Sequence, residues 1–518
     1  MLSTRSAQVG MFDAAVLARP LPEGSFFALL AEHGDRIVRD EDFAECYSLR
    51  MGRPSIAPSQ LARIMLLQHR TGLSDEAAME AVKWDLRWKI ALGLPVDHEG
   101  YHPTSLTRFR ARLLLHGKED LPLETTLRLA EEIGLLDGTA EQIIDSTPML
   151  GAAATQDTVR LVRQGVRKLL DAVGAVDSDA GARLDGGLMF DYACPNDKPD
   201  CRWREKSERE RMLTRVAQDA ECALRAVERA DGLLGDERVA DAHGLLRELI
   251  GQDFDIDEDG IPRLHRGTRA GRIISTVDPQ MRHGRKSQHQ RFDGYKLSAS
   301  ATNTSEPLIT AVEVAPASEQ DGPQARPLIE RQPIARRPER VLGDTAYGIG
   351  PVRAEMAAID VDVLAPVPEA PVKAGRLGKR DFHIDLDAGT VTCPAGQLAA
   401  IRSEPSGQRR ASFTKAACDR CPLRDRCVAP GRGRRSILIA PDEQLLIAAR
   451  QALEDPATAD HLRRTRPRIE RLLGLLAHRY GARKSRYFGR AKARLQAAWA
   501  AALVNLNPIA RHLATARV

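Results

Sequence analysis

The spacing of apolar and polar positions divides the chain into a helical front, a middle that alternates strands and helices, and a helical end. From Pro58 to about Leu115 the apolar residues recur at helical intervals. SQLARIMLLQHRTG places Leu61, Ile64, Met65 and Leu67/Gln68 near one face and stops at Gly72. Ser74 is the predicted N-cap of the next helix, DEAAMEAVKWDLRWKIALG, which is expected to run to Gly93. Thr104 or Ser105 caps a third, LTRFRARLLL, which projects Arg108, Arg110 and Arg112. Helix, glycine turn, helix and then a basic helix is compatible with helix-turn-helix DNA binding, and equally with a plain helical packing domain. Residues 1–50 carry no strong pattern.

QIIDSTPM (142–149) reads as a strand, followed over 155–250 by amphipathic helical periodicity. The period then changes to two: YKLSASAT (295–302) and PLITAVEVA (307–315) read as a hairpin joined by the polar turn NTSE. A helix over 323–332, a strand in ERVLGDTAYG (339–348), a helix over 350–358 and the strand DVDVLAPV follow. Residues 367–440 are rich in Pro, Gly and Cys with short strands, and from 441 the chain is helical again. Two antiparallel strands followed by alternating helix and strand predict an α/β mixed sheet flanked by helices, the order of a ribonuclease-H-like fold with two insertions.

Composition narrows this frame. With 518 residues, 43% apolar and 28% charged, the chain is globular rather than disordered and has room for two to four domains. The net charge of +5 says little by itself, but 63 of the 76 basic residues are arginine, which suits bidentate phosphate contact and is equally explained by base composition. No apolar run is long enough to span a membrane, and the N-terminus lacks the pattern of a signal peptide, so a cytoplasmic protein is expected. Eight cysteines are too few for a disulfide framework.

Three acids stand out by position: Asp145 on the first strand, Asp344 at the end of RVLGD and Glu470 near the start of a helix. Strand ends in an α/β sheet are where ligands converge. Two Asp and one Glu brought together repel one another unless a divalent cation neutralises them, and an all-oxygen set suits Mg²⁺ or Mn²⁺. Between Arg463 and Arg494 there are twelve Lys or Arg and one acid, Glu470. MRHGRKSQHQRFDGYK forms a second basic cluster. Solvated basic faces are common, but two clusters flanking the acids favour phosphate contact.

IIDST, GDTAYG and an RxxxE helix followed by GLLAHRYG together resemble the bacterial insertion-sequence transposases of the DDE type. GRPSIAPSQLARIMLLQHRTGLSDEAAMEA, STVDPQMRHGRKSQHQRFDGYKLSASA and YFGRAKARLQAAWAAALVNLNPIARHL extend the likeness from about residue 50 to 512. The resemblance implies a ribonuclease-H-like core that cuts the ends of its own mobile DNA and joins them to a target. It makes Asp145, Asp344 and Glu470 the catalytic, metal-holding acids, with double-stranded DNA as partner and no membrane; a homodimer in a complex of paired ends is one reading of an oligomeric state that the sequence leaves open. Arg108, Arg112, Arg282, Arg285, Lys286, Arg466, Arg468, Arg483, Lys484 and Arg486 are the expected DNA contacts. Many relatives carry a Tyr-Arg-Glu-Lys signature; here Arg466 and Glu470 match, Arg463 replaces the tyrosine and Ala477 the lysine, with His478 or Arg479 next to it. A decayed copy that only binds DNA and a nuclease without joining activity are the rival readings.

The expected organisation is an N-terminal helical DNA-binding domain (1–135), the first core strand (140–150), a helical insertion (151–265), the catalytic core (266–366), a Cys-containing insertion (367–440) and a C-terminal helical part of the core (441–518), acting in the cytoplasm on the nucleoid. Cys393, Cys418, Cys421 and Cys427 include a C-x2-C pair of metal-ligand spacing, so a tetrahedral Zn²⁺ site stands beside reduced thiols as a reading. Cys194 and Cys201 pair, bind metal or do neither; Cys46 and Cys222 read as packing residues. DIDEDGIPRLHR mimics a calcium loop but has Arg266 where its last ligand should be Glu, so a polar hairpin turn is expected.

Overall fold

The computed structural model describes residues 1–515 except 6–9, 49, 137–139, 195–197, 288, 370, 371, 373 and 374. Its N-terminal part holds helices α1 (Phe26–Ile37), α2 (Pro58–Thr71), α3 (Asp75–Trp84), α4 (Leu86–Leu92), α5 (Thr104–Leu115) and α6 (Leu121–Glu132). Gly72 closes α2 in the left-handed conformation at φ 71°, and the Ser74 hydroxyl accepts the Ala77 N–H at 3.1 Å to start α3, as the sequence predicts. The single helix expected over 75–93 is two. Asp85 turns extended and its carboxylate accepts the Arg87 N–H at 2.8 Å, so it ends α3 and caps α4. Within 1–50, where no pattern is evident, α1 buries Phe26, Leu29, Leu30 and Ile37.

Strand β1 (Glu141–Leu150) opens the central sheet. A helical insertion follows, with α7 (Thr158–Val176), α8 (Ser178–Gly186), α9 (Lys206–Arg229) and α10 (Glu237–Asp253) packed around their own apolar cluster. The acidic stretch beyond α10 is a polar turn in a two-stranded ribbon, Phe254–Ile256 with Pro262–Leu264. The sheet resumes with β2 (Arg282–Arg285), β3 (Arg291–Thr302), β4 (Ile309–Pro316), β5 (Arg340–Leu342) and β6 (Asp362–Leu364). Helix α11 (Ala325–Glu330) joins β4 to β5, and α12 (Gly350–Ala357) joins β5 to β6. β3 pairs antiparallel with β1, β2 and β4, whereas β5 pairs parallel with β1 and β6. The resulting order, β4-β3-β1-β5-β6 with β2 extending β3, is that of a ribonuclease-H-like α/β sheet.

The Cys-containing insertion is a five-stranded antiparallel sheet: β7 (His383–Asp385), β8 (Thr390–Thr392), β9 (Leu398–Ser403), β10 (Arg409–Ser412) and β11 (Ser436–Ile439). Helices α13 (Glu443–Glu454), α14 (Pro456–Thr465), α15 (Pro467–Gly474) and α16 (Arg490–Thr515) complete the chain. One face of the central sheet, with Ile144, Val341 and Tyr347, packs on α11 and α12. The other, with Ile143, Leu297 and Leu342, shares a cluster with α15, α16 and the N-terminal helices. Asn505 of α16 accepts the Ile309 N–H at 2.8 Å and donates to the Ile309 carbonyl at 2.9 Å, satisfying backbone groups on edge strand β4.

Candidate active site

Three separate elements deliver the acids. Asp145 lies within β1, level with Ala299 of β3, and its Oδ1 accepts the Ser146 N–H at 2.7 Å. Asp344 follows β5 in a tight turn where its Oδ1 accepts the Ala346 N–H at 2.8 Å. The GDTAYG motif is explained by packing. A Cβ on Gly343 would stand 2.7 Å from the Tyr347 ring, and one on Gly348 would stand 1.9 Å from the Pro366 carbonyl oxygen. Glu470 sits in the first turn of α15, which Pro467 helps to start.

All three acids line one cleft of about 490 Å³. Its cationic lining is Arg285, Lys286, Lys296 and Arg466, with His478 alongside; a fourth acid, Asp321, completes the charge balance. Burial pushes the Asp145 carboxyl up to about 6, and the charges of Asp344 and Glu470 add to that rise, while Ser146 N–H and Arg466 oppose it. Arg466 stands 4.0 Å from Glu470, one turn away on the same side. Tyr347 lies buried near Asp321, Asp145 and Asp344, and burial and their charges hold its hydroxyl well above its usual range, so it stays a donor. The donor set fits a divalent cation in chemistry: clustered carboxylate oxygens whose mutual repulsion a cation relieves. It is not a closed ligand set, because among the described residues no three His, Cys, Asp or Glu side chains are arranged to hold a metal ion.

The expected DNA contacts separate into three groups. Arg285, Lys286 and Arg466 face the cleft. Arg108, Arg483 and Lys484 are exposed outside its lining, the last two on a segment that pairs with the end of β1 through Leu150 N–H to Arg483 O at 2.9 Å. The others are engaged within the fold: Arg112 stacks on Tyr47 at 4.1 Å, Arg282 donates to Met281 O at 3.0 Å, Arg468 donates to Asn303 Oδ1 at 2.7 Å, and Arg486 donates to Leu73 O. Arg110 is likewise buried against Asp75. Of the two candidates to replace the signature lysine, His478 lines the cleft; Arg479 lies over the Tyr480 ring at 5.9 Å and lines a different pocket. Lys296 closes the second basic cluster, MRHGRKSQHQRFDGYK, but is not among the expected contacts, and Asp321 carries no local signal at all.

Cys393, Cys418, Cys421 and Cys427 do come together, lining one small pocket under Phe382 and Phe413. All are free thiols, and the zinc reading has no counterpart as a ligand set among the described residues. Cys194 and Cys201 are free, Cys46 is buried, and Cys222 is exposed, which corrects its reading as a packing residue. Among the described residues no helix is long and apolar enough to cross a membrane.

A ribonuclease-H-like sheet with carboxylates from β1, the β5 turn and a C-terminal helix in one cleft defines a class of nucleic-acid-processing enzymes. Two family models match the chain: a transposase domain over residues 16–112 and a transposase DDE domain over 392–510. Both matches support an insertion-sequence transposase of the DDE type, each over a part of the chain. Comparison with curated proteins and with solved structures gave no match.

Proposed function

We propose that the cleft cuts the ends of a mobile DNA element and joins them to target DNA, with Asp145, Asp344 and Glu470 holding divalent cations, Mg²⁺ or Mn²⁺. The supporting observation is that three acids far apart in sequence line one cleft on three different elements. Bound there, the cation supplies charge that favours an oxygen nucleophile and stabilises the leaving oxygen. In the first step water oxygen attacks phosphorus in line, one P–O bond forms, and the bond to the 3′ oxygen breaks to leave a 3′-hydroxyl. In the second, that hydroxyl attacks a target phosphodiester; one P–O bond replaces another, so no external energy source is required. Asp145 and Asp344, each with one oxygen already fixed by a backbone N–H, present the other to the cleft ligand. Arg466 holds the scissile phosphate beside Glu470, and Arg285 and Lys286 hold the strand at the opposite wall. Within this reading two chains pair two ends on the nucleoid.

The experiment is cleavage of DNA carrying the sequences that flank the coding region, with Mg²⁺ or Mn²⁺, by the parent and Asp145→Ala. Loss of cleavage with DNA binding retained supports the reading, and retained cleavage refutes it. Cleavage without strand transfer identifies a nuclease that does not join. Binding with no metal-dependent cleavage by the parent identifies a DNA-binding protein.

A further inference from the structure

Among the described residues, one cation of the cleft is held by partners inside the fold before any ligand arrives. Lys296 lies on β3 opposite Pro148, three residues beyond Asp145 on β1. Its side chain is only 15% exposed, and its ammonium donates to the Glu319 carbonyl at 2.6 Å and meets Asp321 at 2.9 Å. A lysine ammonium has three donors; the Glu319 carbonyl takes one, and Asp321 is an ion-pair neighbour whose Oδ1 accepts no hydrogen bond, which leaves donors for a group in the cleft. The other basic groups are held differently: Arg285 and Lys286 are exposed on the β2–β3 hairpin, and Arg466 is drawn toward Glu470. On the helical side of the cleft Ala477 contributes no charge and Arg479 points elsewhere. The deep cation therefore comes from the sheet.

We propose that Lys296 is a phosphate-binding residue of the cleft, with Asp321 as the internal counter-ion that holds its ammonium in place until a DNA phosphodiester arrives. The inference rests on the reading of the cleft as a DNA site and assigns one residue within it. Asp321 lowers the cost of burying the lysine but repels an incoming phosphate, so the two residues have opposite effects on DNA binding. A pair that merely fastened β3 to the turn after β4 would have effects of the same sign, because breaking it from either side loosens the same contact.

The test is the affinity of the full chain for a labelled 30-base-pair duplex, measured by anisotropy across a NaCl series in EDTA. Lys296→Met is expected to shallow the salt dependence by about one unit of slope. Lys296→Arg is expected to restore it in part, and Asp321→Asn to bind as tightly as the parent or more tightly. An unchanged slope in Lys296→Met, or weakening by Asp321→Asn as large as that by Lys296→Met, overturns the proposal. If Lys296→Met does not fold, the sign of the Asp321→Asn effect still decides. Because no metal is present, this readout is independent of the acids: cleavage retained in Asp145→Ala would refute the catalytic reading and leave this result standing. Loss of cleavage there, with a parental slope in Lys296→Met, would refute this inference alone.

Discussion

Replacing Asp145 by Asn should stabilise the protein in the absence of metal. Burial raises the Asp145 carboxyl from 3.8 to about 6, with Asp344 and Glu470 contributing. The folded state thus holds its proton more tightly than the unfolded chain, and stability falls as pH rises through the interval from 3.8 to about 6. Each pH unit by which the carboxyl is raised corresponds to about 1.4 kcal/mol, so the ionised group costs up to about 3 kcal/mol above pH 7, and relaxation of the cleft brings that nearer 1–2. Asn removes this penalty. Urea titrations followed by tryptophan fluorescence in EDTA should give Asp145→Asn and the parent nearly equal midpoints at pH 4, and a gap favouring the variant that grows to a plateau by pH 7. The buried His69, whose pKa is depressed to about 3, also makes stability pH-dependent, but it is present in both proteins and cancels in the difference. Adding Mg²⁺ at pH 8 should narrow the gap by stabilising the parent more. A variant no more stable than the parent at pH 8, or a gap independent of pH, would refute the electrostatic account of the cleft.

Arg466→Ala should lower cleavage by about 10²-fold, as expected for loss of a charge that meets the transition state, while DNA affinity falls only a few-fold; equal losses in a paired cleavage and binding assay would make Arg466 an ordinary backbone contact. Gly343→Ala places a Cβ 2.7 Å from the Tyr347 ring, so it should cost about 1–3 kcal/mol in urea unfolding and displace Asp344. Adding Tyr347→Ala in the same chain should recover part of that cost; strictly additive losses would show that the contact is not the cause.

The acids were legible because each sits where a local rule places it: Asp145 in a short apolar strand, Asp344 in a turn closed by glycines, Glu470 in a helix that Pro467 helps to start. The helix stop at Gly72 and the cap at Ser74 were legible for the same reason, since one residue type performs the local task. Strand β2 was not. Its residues, Arg282, His283, Gly284 and Arg285, have no apolar alternation, and it exists because β3 offers its backbone groups over Arg291–Gly294. A basic run and an edge strand are the same letters. The break at Asp85 was hidden by helical spacing on both sides, because a side-chain cap there outweighs the continuing pattern.

Arginine content is the coarsest of these signals. Arg110, Arg112, Arg282, Arg468 and Arg486 all belong to basic stretches, yet each donates to or stacks on a partner inside the fold. An arginine side chain carries five donors and a flat face, so it can tie loops and helices together as readily as it binds phosphate. Local positive charge therefore locates the DNA side of this chain only coarsely; what selects a residue is whether its charge is left facing the cleft. By that criterion Lys296, which lies outside the C-terminal basic run and whose neighbour Asp321 is twenty-five residues away, ranks with Arg466 and above Arg468 and Arg486. The pairing that places it is made by β3 and the turn after β4, and neither segment alone contains the information.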